Sequence, residues 1–205
     1  MRDIKAMLPE EIAAALAEMG QPKYRAKQIF QWLARGASSF DEMTNLSKDL
    51  RAALSERFYI SKLEMLRKQV SAIDGTIKYL WQLGDGNAVE TVVMHYKHGN
   101  TVCISSQVGC GMGCPFCATG KLGLTRNMST GEIIEQVRVA AKMMRDGEVA
   151  GGEGRLSNIV FMGMGEPMGN YNSVLSAVRQ ISAMPPEGFG ISARNITVST
   201  VGVVP

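Results

Sequence analysis

Ser157-Asn-Ile-Val-Phe-Met-Gly-Met-Gly-Glu-Pro167 decides the fold. Ile159, Val160 and Phe161 crowd its first half, and Gly163, Gly165 and Pro167 punctuate its second, so it reads as a buried strand ending in a tight turn. Helical patterns flank it. Upstream, Ser129-Thr-Gly-Glu132 is a capping box that opens a helix with Ile133, Ile134, Val137, Ala140, Ala141 and Met144 on one face. A glycine-rich run, 147–154, joins that helix to the strand. Downstream, Val174, Leu175, Val178 and Ile181 mark a second helix, halted by Pro185-Pro186. Arg194-Asn-Ile-Thr-Val-Ser-Thr-Val201 is the next strand. Strands alternating with helices imply right-handed βαβ units and a parallel sheet. The sequence stops at Pro205, directly after a strand, so the α/β domain reads as unfinished.

The chain before this region has two other textures. Residues 1–62 read as a small helical domain. A first helix has Pro9 in its opening turn, acidic residues behind it and Gly20 as its stop. A second runs from Pro22 to Ala34, with Tyr24, Ile29, Phe30 and Leu33 as its apolar stripe, and a third starts at the N-cap Ser47. Lys23, Arg25 and Lys27 load the first turn of the second helix with charge that opposes the helix dipole. That hints at a phosphate-facing surface, although a solvated face is the commoner meaning. Residues 63–98 read as a short antiparallel sheet, with turns at Asp74-Gly75 and Asp85-Gly86. Its last strand, continuing past His98-Gly-Asn, delivers the chain to a cysteine-rich loop, and residues 99–205 form the third unit.

The 205 residues are 45% hydrophobic and 20% charged with net charge +3, an ordinary globular composition that permits a nucleic-acid partner without demanding one. No stretch approaches the ~20 apolar residues of a membrane span, and the N-terminal residues do not resemble a signal peptide. A cytoplasmic chain is expected, whose thiols stay reduced and are available for metal or catalysis.

Cys110-Gly-Met-Gly-Cys-Pro-Phe-Cys117 carries three of the four cysteines within eight residues, on a backbone too rich in glycine for a stable helix. Structural zinc wants four ligands, usually as two pairs, and only one cluster of three is present. Three thiolates better suit an iron–sulfur cluster with one iron left open; a zinc-holding RNA-binding module is the competing reading. The Gly163-to-Pro167 turn lies at the carboxyl end of a parallel strand, where ligands of such sheets bind, and Glu166 there suits an ammonium group. Ser199, at or near the end of the next strand, can point at the same crevice, although a serine there is more commonly structural. By period two, Glu90 shares a face with Val92 and Met94; this is either an exposed edge face or an environment costly for an acid unless it is paired or used.

Cys110-x-x-x-Cys114-x-x-Cys117, with Phe116 before the last cysteine, resembles the radical S-adenosylmethionine signature. Cys103-Ile-Ser-Ser-Gln-Val-Gly-Cys110, the 161–167 turn and Ser199-Thr-Val-Gly-Val-Val-Pro205 resemble the RlmN family, which methylates carbon 2 of an adenine in 23S rRNA and in some tRNAs. The related Cfr-type carbon-8 adenine methyltransferases share these motifs. The resemblance implies a partial βα barrel and a [4Fe-4S] cluster on Cys110, Cys114 and Cys117. It implies S-adenosyl-L-methionine at Gly165, Glu166 and Ser199, and Glu90 as proton acceptor. Cys103 would help release a covalent RNA intermediate through a transient disulfide. It further implies 23S rRNA and tRNA as partners, a flavodoxin-type electron donor and a monomer. In that family one cofactor molecule methylates a cysteine, and a second, cleaved reductively, yields the radical that activates it. No cysteine follows Cys117, so the methyl-carrying cysteine is not in this sequence. The expectation is a C-terminally truncated chain, inactive in methylation by itself.

Overall fold

The computed structural model describes residues 1–185 and 188–204. The chain opens with β1 (Arg2–Asp3), followed by the helices α1 (Pro9–Glu18), α2 (Tyr24–Arg35) and α3 (Lys48–Arg57). The local signals set their ends. Pro9 occupies the first turn of α1, Gly36 closes α2 with φ of 97°, and the Ser47 hydroxyl accepts the Leu50 amide at the start of α3. The stripe of α2 differs from expectation: Ala26, Ile29 and Leu33 are buried, while Tyr24 is 59% exposed at the outer end of the helix. β2 (Phe58–Tyr59) pairs in parallel with β1 and closes a small core around Ile12, Leu16, Ile29 and Leu54.

β3 (Glu64–Val70), β4 (Ile77–Gln82), β5 (Ala88–Tyr96) and β6 (Gly99–Cys103) follow as an antiparallel meander. Then come β7 (Gln107–Gly109), the short helix α4 (Ala118–Lys121) and β8 (Leu124–Asn127), which pairs antiparallel with β7. α5 (Thr130–Arg145), β9 (Leu156–Phe161), α6 (Tyr171–Ser182) and β10 (Ile196–Val198) complete the order. The antiparallel and parallel strands form one sheet of six, in the order β10-β9-β6-β5-β4-β3. β6 is the joint: it runs antiparallel to β5 and parallel to β9. The strand expected to deliver the chain to the cysteine loop ends at Cys103, and 107–109 turn away into the β7–β8 pair. α6 ends at Ser182, before Pro185; Pro186 of the expected stop, like Pro205, lies outside the described residues.

α5 and α6 cover one face of this sheet. Ile133, Ile134, Val137 and Met144 of α5 are buried with Val93, Val102, Ile159 and Phe161 of the strands. Each such side chain contributes about 1.5–3 kcal/mol relative to exposure. The N-terminal helices are fastened to α5 by polar contacts. Lys5 Nζ, whose side chain is 1% exposed, meets Glu135 Oε2 at 2.7 Å and the Ser61 carbonyl at 2.9 Å. The Asp3 carboxylate sits over the first turn of α5, against Gly131, where a Cβ would collide with it. Burial raises the Asp3 carboxyl above its ordinary range, against hydrogen bonds from Ser61 and Lys5.

Candidate cofactor site

The site assembles at the carboxyl ends of the parallel strands β6, β9 and β10. Cys103 ends β6, Gly163 to Glu166 follow β9, and Ser199 follows β10 with its amide 3.5 Å from the Phe161 carbonyl. A dense seam joins the first two segments. The Gly163 amide donates to the Ile104 carbonyl at 3.1 Å, and the Ser106 amide to the Met164 carbonyl at 2.9 Å. The Ser105 hydroxyl accepts the Met164 amide at 3.0 Å and donates to the Glu90 carbonyl at 2.6 Å. The Gln107 side chain accepts the Glu166 amide at 2.8 Å. Two glycines make the seam possible. A Cβ on Gly163 would stand 2.8 Å from the Ile104 carbonyl group, and one on Gly165, whose φ is +99°, 2.5 Å from Gln107 Cβ.

The cysteine loop grows directly from that seam. β7 and β8 bracket it: the Cys110 amide donates to the Gly123 carbonyl at 2.9 Å, and Gly109 packs so tightly on Gly123 that no side chain fits between them. Inside the bracket the Cys117 amide reaches the Cys114 carbonyl at 3.1 Å. Cys110 is buried and Cys114 and Cys117 are half-buried, and all four cysteines are free thiols. Phe116 points outward, 89% exposed. Among the described residues no three thiol, imidazole or carboxylate groups stand close enough to share a single metal ion. A four-iron cluster spreads its ligands more widely than one ion does. The donor set it requires, three free thiols on a glycine-rich loop with an open outer side, is present.

Glu166 is committed to the protein in this structure. Its carboxylate is buried and accepts the Met168 amide at Oε1 and the Val201 amide at Oε2, both at 2.9 Å. Burial works to raise its pKa; the Val201 and Met168 amides and the Thr200 hydroxyl outweigh it and hold the carboxyl below its usual range. Glu90, Val92 and Met94 do share a face, and that face is the half-exposed side of β5 away from α5. Glu90 is paired there with Lys78 across the strands, at 2.9 Å, so it is not isolated in apolar company. Cys103 pairs in register with Val92, which makes Glu90 its diagonal neighbour on the same face. Burial pushes the Cys103 thiol up, against one hydrogen bond from the Met162 amide.

Residues 3–60 match the ribosomal RNA large subunit methyltransferase N-terminal domain family. The chain is 66% identical over 200 residues to a probable dual-specificity RNA methyltransferase RlmN of Bifidobacterium longum, an alignment covering 97% of this chain and 51% of that protein. It is 53% identical over 199 residues to the protein of the same description from a Mycobacterium species, covering 94% of this chain and 53% of that one. The crystal structure of a radical SAM methyltransferase from Sphaerobacter thermophilus superposes with a TM-score of 0.86 at 45% identity, covering 100% of this chain and 58% of that one. The chain is RlmN-type over the 200 residues that align. It spans about half the length of the curated relatives it matches.

Several residues of this RlmN-type chain that shape the site went unread in its sequence. Gln136 lies on the apolar face of α5 and is buried. Its carbonyl accepts the Thr91 hydroxyl and the Ser105 amide, and its amide donates to the Ser105 carbonyl, all at 2.9 Å. Asn170 donates to the Ser106 and Met128 carbonyls, each at 2.8 Å. Arg126 of β8 grips Glu132 with two hydrogen bonds, at 2.9 and 2.8 Å, and also reaches Asp85. Those carboxylates hold the guanidinium above its usual range, and Arg126 holds the Asp85 carboxyl well below its own. A polar residue inside an apolar helical stripe was the available signal for Gln136.

Proposed function

We propose that the chain is part of a radical S-adenosylmethionine transferase that methylates carbon 2 of adenine in 23S rRNA and tRNA. The observation that carries this reading is the hydrogen-bonded seam between 104–107 and 163–166, which sets a three-thiol loop beside the Gly165-Glu166 turn. Cys110, Cys114 and Cys117 would hold a [4Fe-4S] cluster, and Gly165, Glu166 and Ser199 would receive S-adenosyl-L-methionine. When bound, the cluster supplies one electron for reductive cleavage of the sulfonium.

The chain's own residues do the rest by position. Gly165 lets the cofactor approach the backbone where a side chain would block it. Glu166 fixes the turns after β9 and β10 to each other, and it contacts the cofactor from that fixed frame. Glu90 takes a proton on the half-exposed sheet face, with Lys78 beside it to stabilise the carboxylate. Cys103, whose thiol pKa burial raises, would lose its proton and form a disulfide with the methyl-carrying cysteine as that cysteine's S–C bond to the RNA intermediate breaks and its electron pair goes to the product carbon; Glu90 lies diagonal to Cys103 on the same face. The methyl-carrying cysteine is not among the four in this sequence, so these 205 residues alone do not complete methylation. A partial βα barrel over 99–205, an antiparallel segment over 63–98 and a helical RNA-binding-like domain over 1–62 make up this reading. A cytoplasmic monomer served by a flavodoxin-type reductant completes it.

Anaerobic reconstitution with iron and sulfide tests it. A brown protein with visible iron–sulfur absorption, lost in Cys114→Ala and kept in Cys103→Ser, is the expected result. A colourless protein that retains zinc overturns it.

A further inference from the structure

α2, α5 and α6 surround a cavity of about 740 Å³ at the opposite end of the sheet from the cysteine loop. Arg155, Leu156 and Ser157 at the start of β9, and Asn195 just before β10, form its floor. The strand between that floor and the Gly163 turn is six residues long, so the two lie about 20 Å apart at a rise of ~3.3 Å per residue. The walls carry five cations: Arg35, Arg138, Lys142, Arg145 and Arg155. Among the described residues Glu135 is the one carboxylate lining it, and it is already shared by Lys5 and Arg138. Lys142 has Asp146 beside it. Arg35, Arg145 and Arg155 have no carboxylate within salt-bridge distance among the described residues. Arg138 keeps one buried nitrogen, Nη1, without a hydrogen-bond partner.

Like charges gathered without counter-charges repel one another, and the arrangement gains most when an anion enters. The cations also continue beyond the cavity. Lys23, the N-cap of α2, and Lys27 one turn on line a second, smaller hollow opposite Glu10 of α1, and Phe30 of α2 borders both hollows. A lone phosphate would need one cluster, whereas a track of this length suits successive phosphates of a polymer.

We infer that this basic track binds the phosphate backbone of RNA, as a docking surface remote from the site of chemistry. It rests on the reading of the chain as part of an RNA methyltransferase, and cluster reconstitution tests that reading alone, so the two fail separately.

The test is fluorescence anisotropy of a labelled RNA hairpin with the 205-residue chain, as a function of salt. Arg35, Arg145 and Arg155 are exposed, so the triple variant R35Q/R145Q/R155Q removes charge without opening a core. It is expected to weaken binding about tenfold or more for every sequence tried and to flatten the log–log salt slope by about two units. R57Q/K62Q/R67Q removes equal charge from exposed positions elsewhere and should leave the slope within half a unit. Equal loss in both triples overturns the proposal, as does failure of the parent chain to bind RNA. Inorganic tripolyphosphate is the second probe: if it loses binding in the first triple while RNA does not, the site takes small anions and the RNA assignment is wrong. Amine labelling of the unmodified chain gives an independent reading. RNA should protect Lys23, Lys27 and Lys142 and leave Lys48 and Lys62 reactive; the reverse pattern refutes the track.

Discussion

The Glu166 carboxylate accepts the Val201 amide at 2.9 Å, across a sequence separation of 35 residues. Through that bond the turn after β9 holds the segment after β10, the two parts of the crevice that sequence reasoning assigned to one ligand. Glu166→Gln should cost about 1–2 kcal/mol, because a charge-assisted acceptor becomes a neutral one. Its pH dependence has a definite sign. The folded carboxyl titrates below the ordinary glutamate value of about 4.3, so the stabilisation is complete above that value and disappears as the pH falls through the lower folded pKa. The Val201 amide chemical shift, followed by NMR through acid titration, should move with that transition in the parent chain and stay flat in the variant.

Gly163 and Gly165 allow the seam to close. Gly165→Ala faces both a positive φ and a collision with Gln107, and Gly163→Ala a collision with the Ile104 backbone. Each should destabilise by about 1–3 kcal/mol, read as a lower urea midpoint at unchanged slope. An unchanged midpoint for both would mean that the two segments are not in contact.

Gln136 satisfies three polar groups at once, two of them on Ser105. Gln136→Leu keeps the volume and strands those partners, at a cost of about 2 kcal/mol or more. Hydrogen exchange should quicken at the Ser105 amide before it does in β4.

Lys5 and Glu135 are a buried pair that joins the N-terminal helices to α5. Burial lowers the Lys5 pKa, against the opposing charge of Glu135. Lys5→Met leaves Glu135 with Arg138 as its remaining cation and should destabilise by about 3 kcal/mol, whereas the double variant with Glu135→Leu should recover part of that loss. Thermal midpoints of the singles and the double provide the cycle; strict additivity would rule out coupling.

The sequence reveals most where the determinants are local. The Ser129 capping box, Gly36 and the Asp74-Gly75 turn act within a few residues, so α5, α2 and the β3–β4 hairpin could be read in advance. The alternation of strand and helix gave the parallel connection of β9 and β10. The single sheet was hidden because β6 pairs with β9 across the whole cysteine loop and α5. The β7–β8 bracket was hidden because strands of three and four residues carry no period. Within the site, the cysteine spacing and the Gly-Glu turn stood out as residue types. The partners of Glu166 did not, since backbone amides have no letter in a sequence, and Lys78 opposite Glu90 follows only from strand register.

The seam also bears on the order in which the chain acquires its form. Its hydrogen bonds join residues 59 positions apart, and closing so long a loop precedes any gain from the contacts it brings. The helices, the β3–β4 hairpin and the β7–β8 bracket can form from neighbours in sequence, but the seam beneath the cysteine loop closes only when β9 docks beside β6. The loop that carries the thiols is therefore closed on itself by local contacts and fixed to the Gly163–Glu166 turn by contacts that reach across 59 positions.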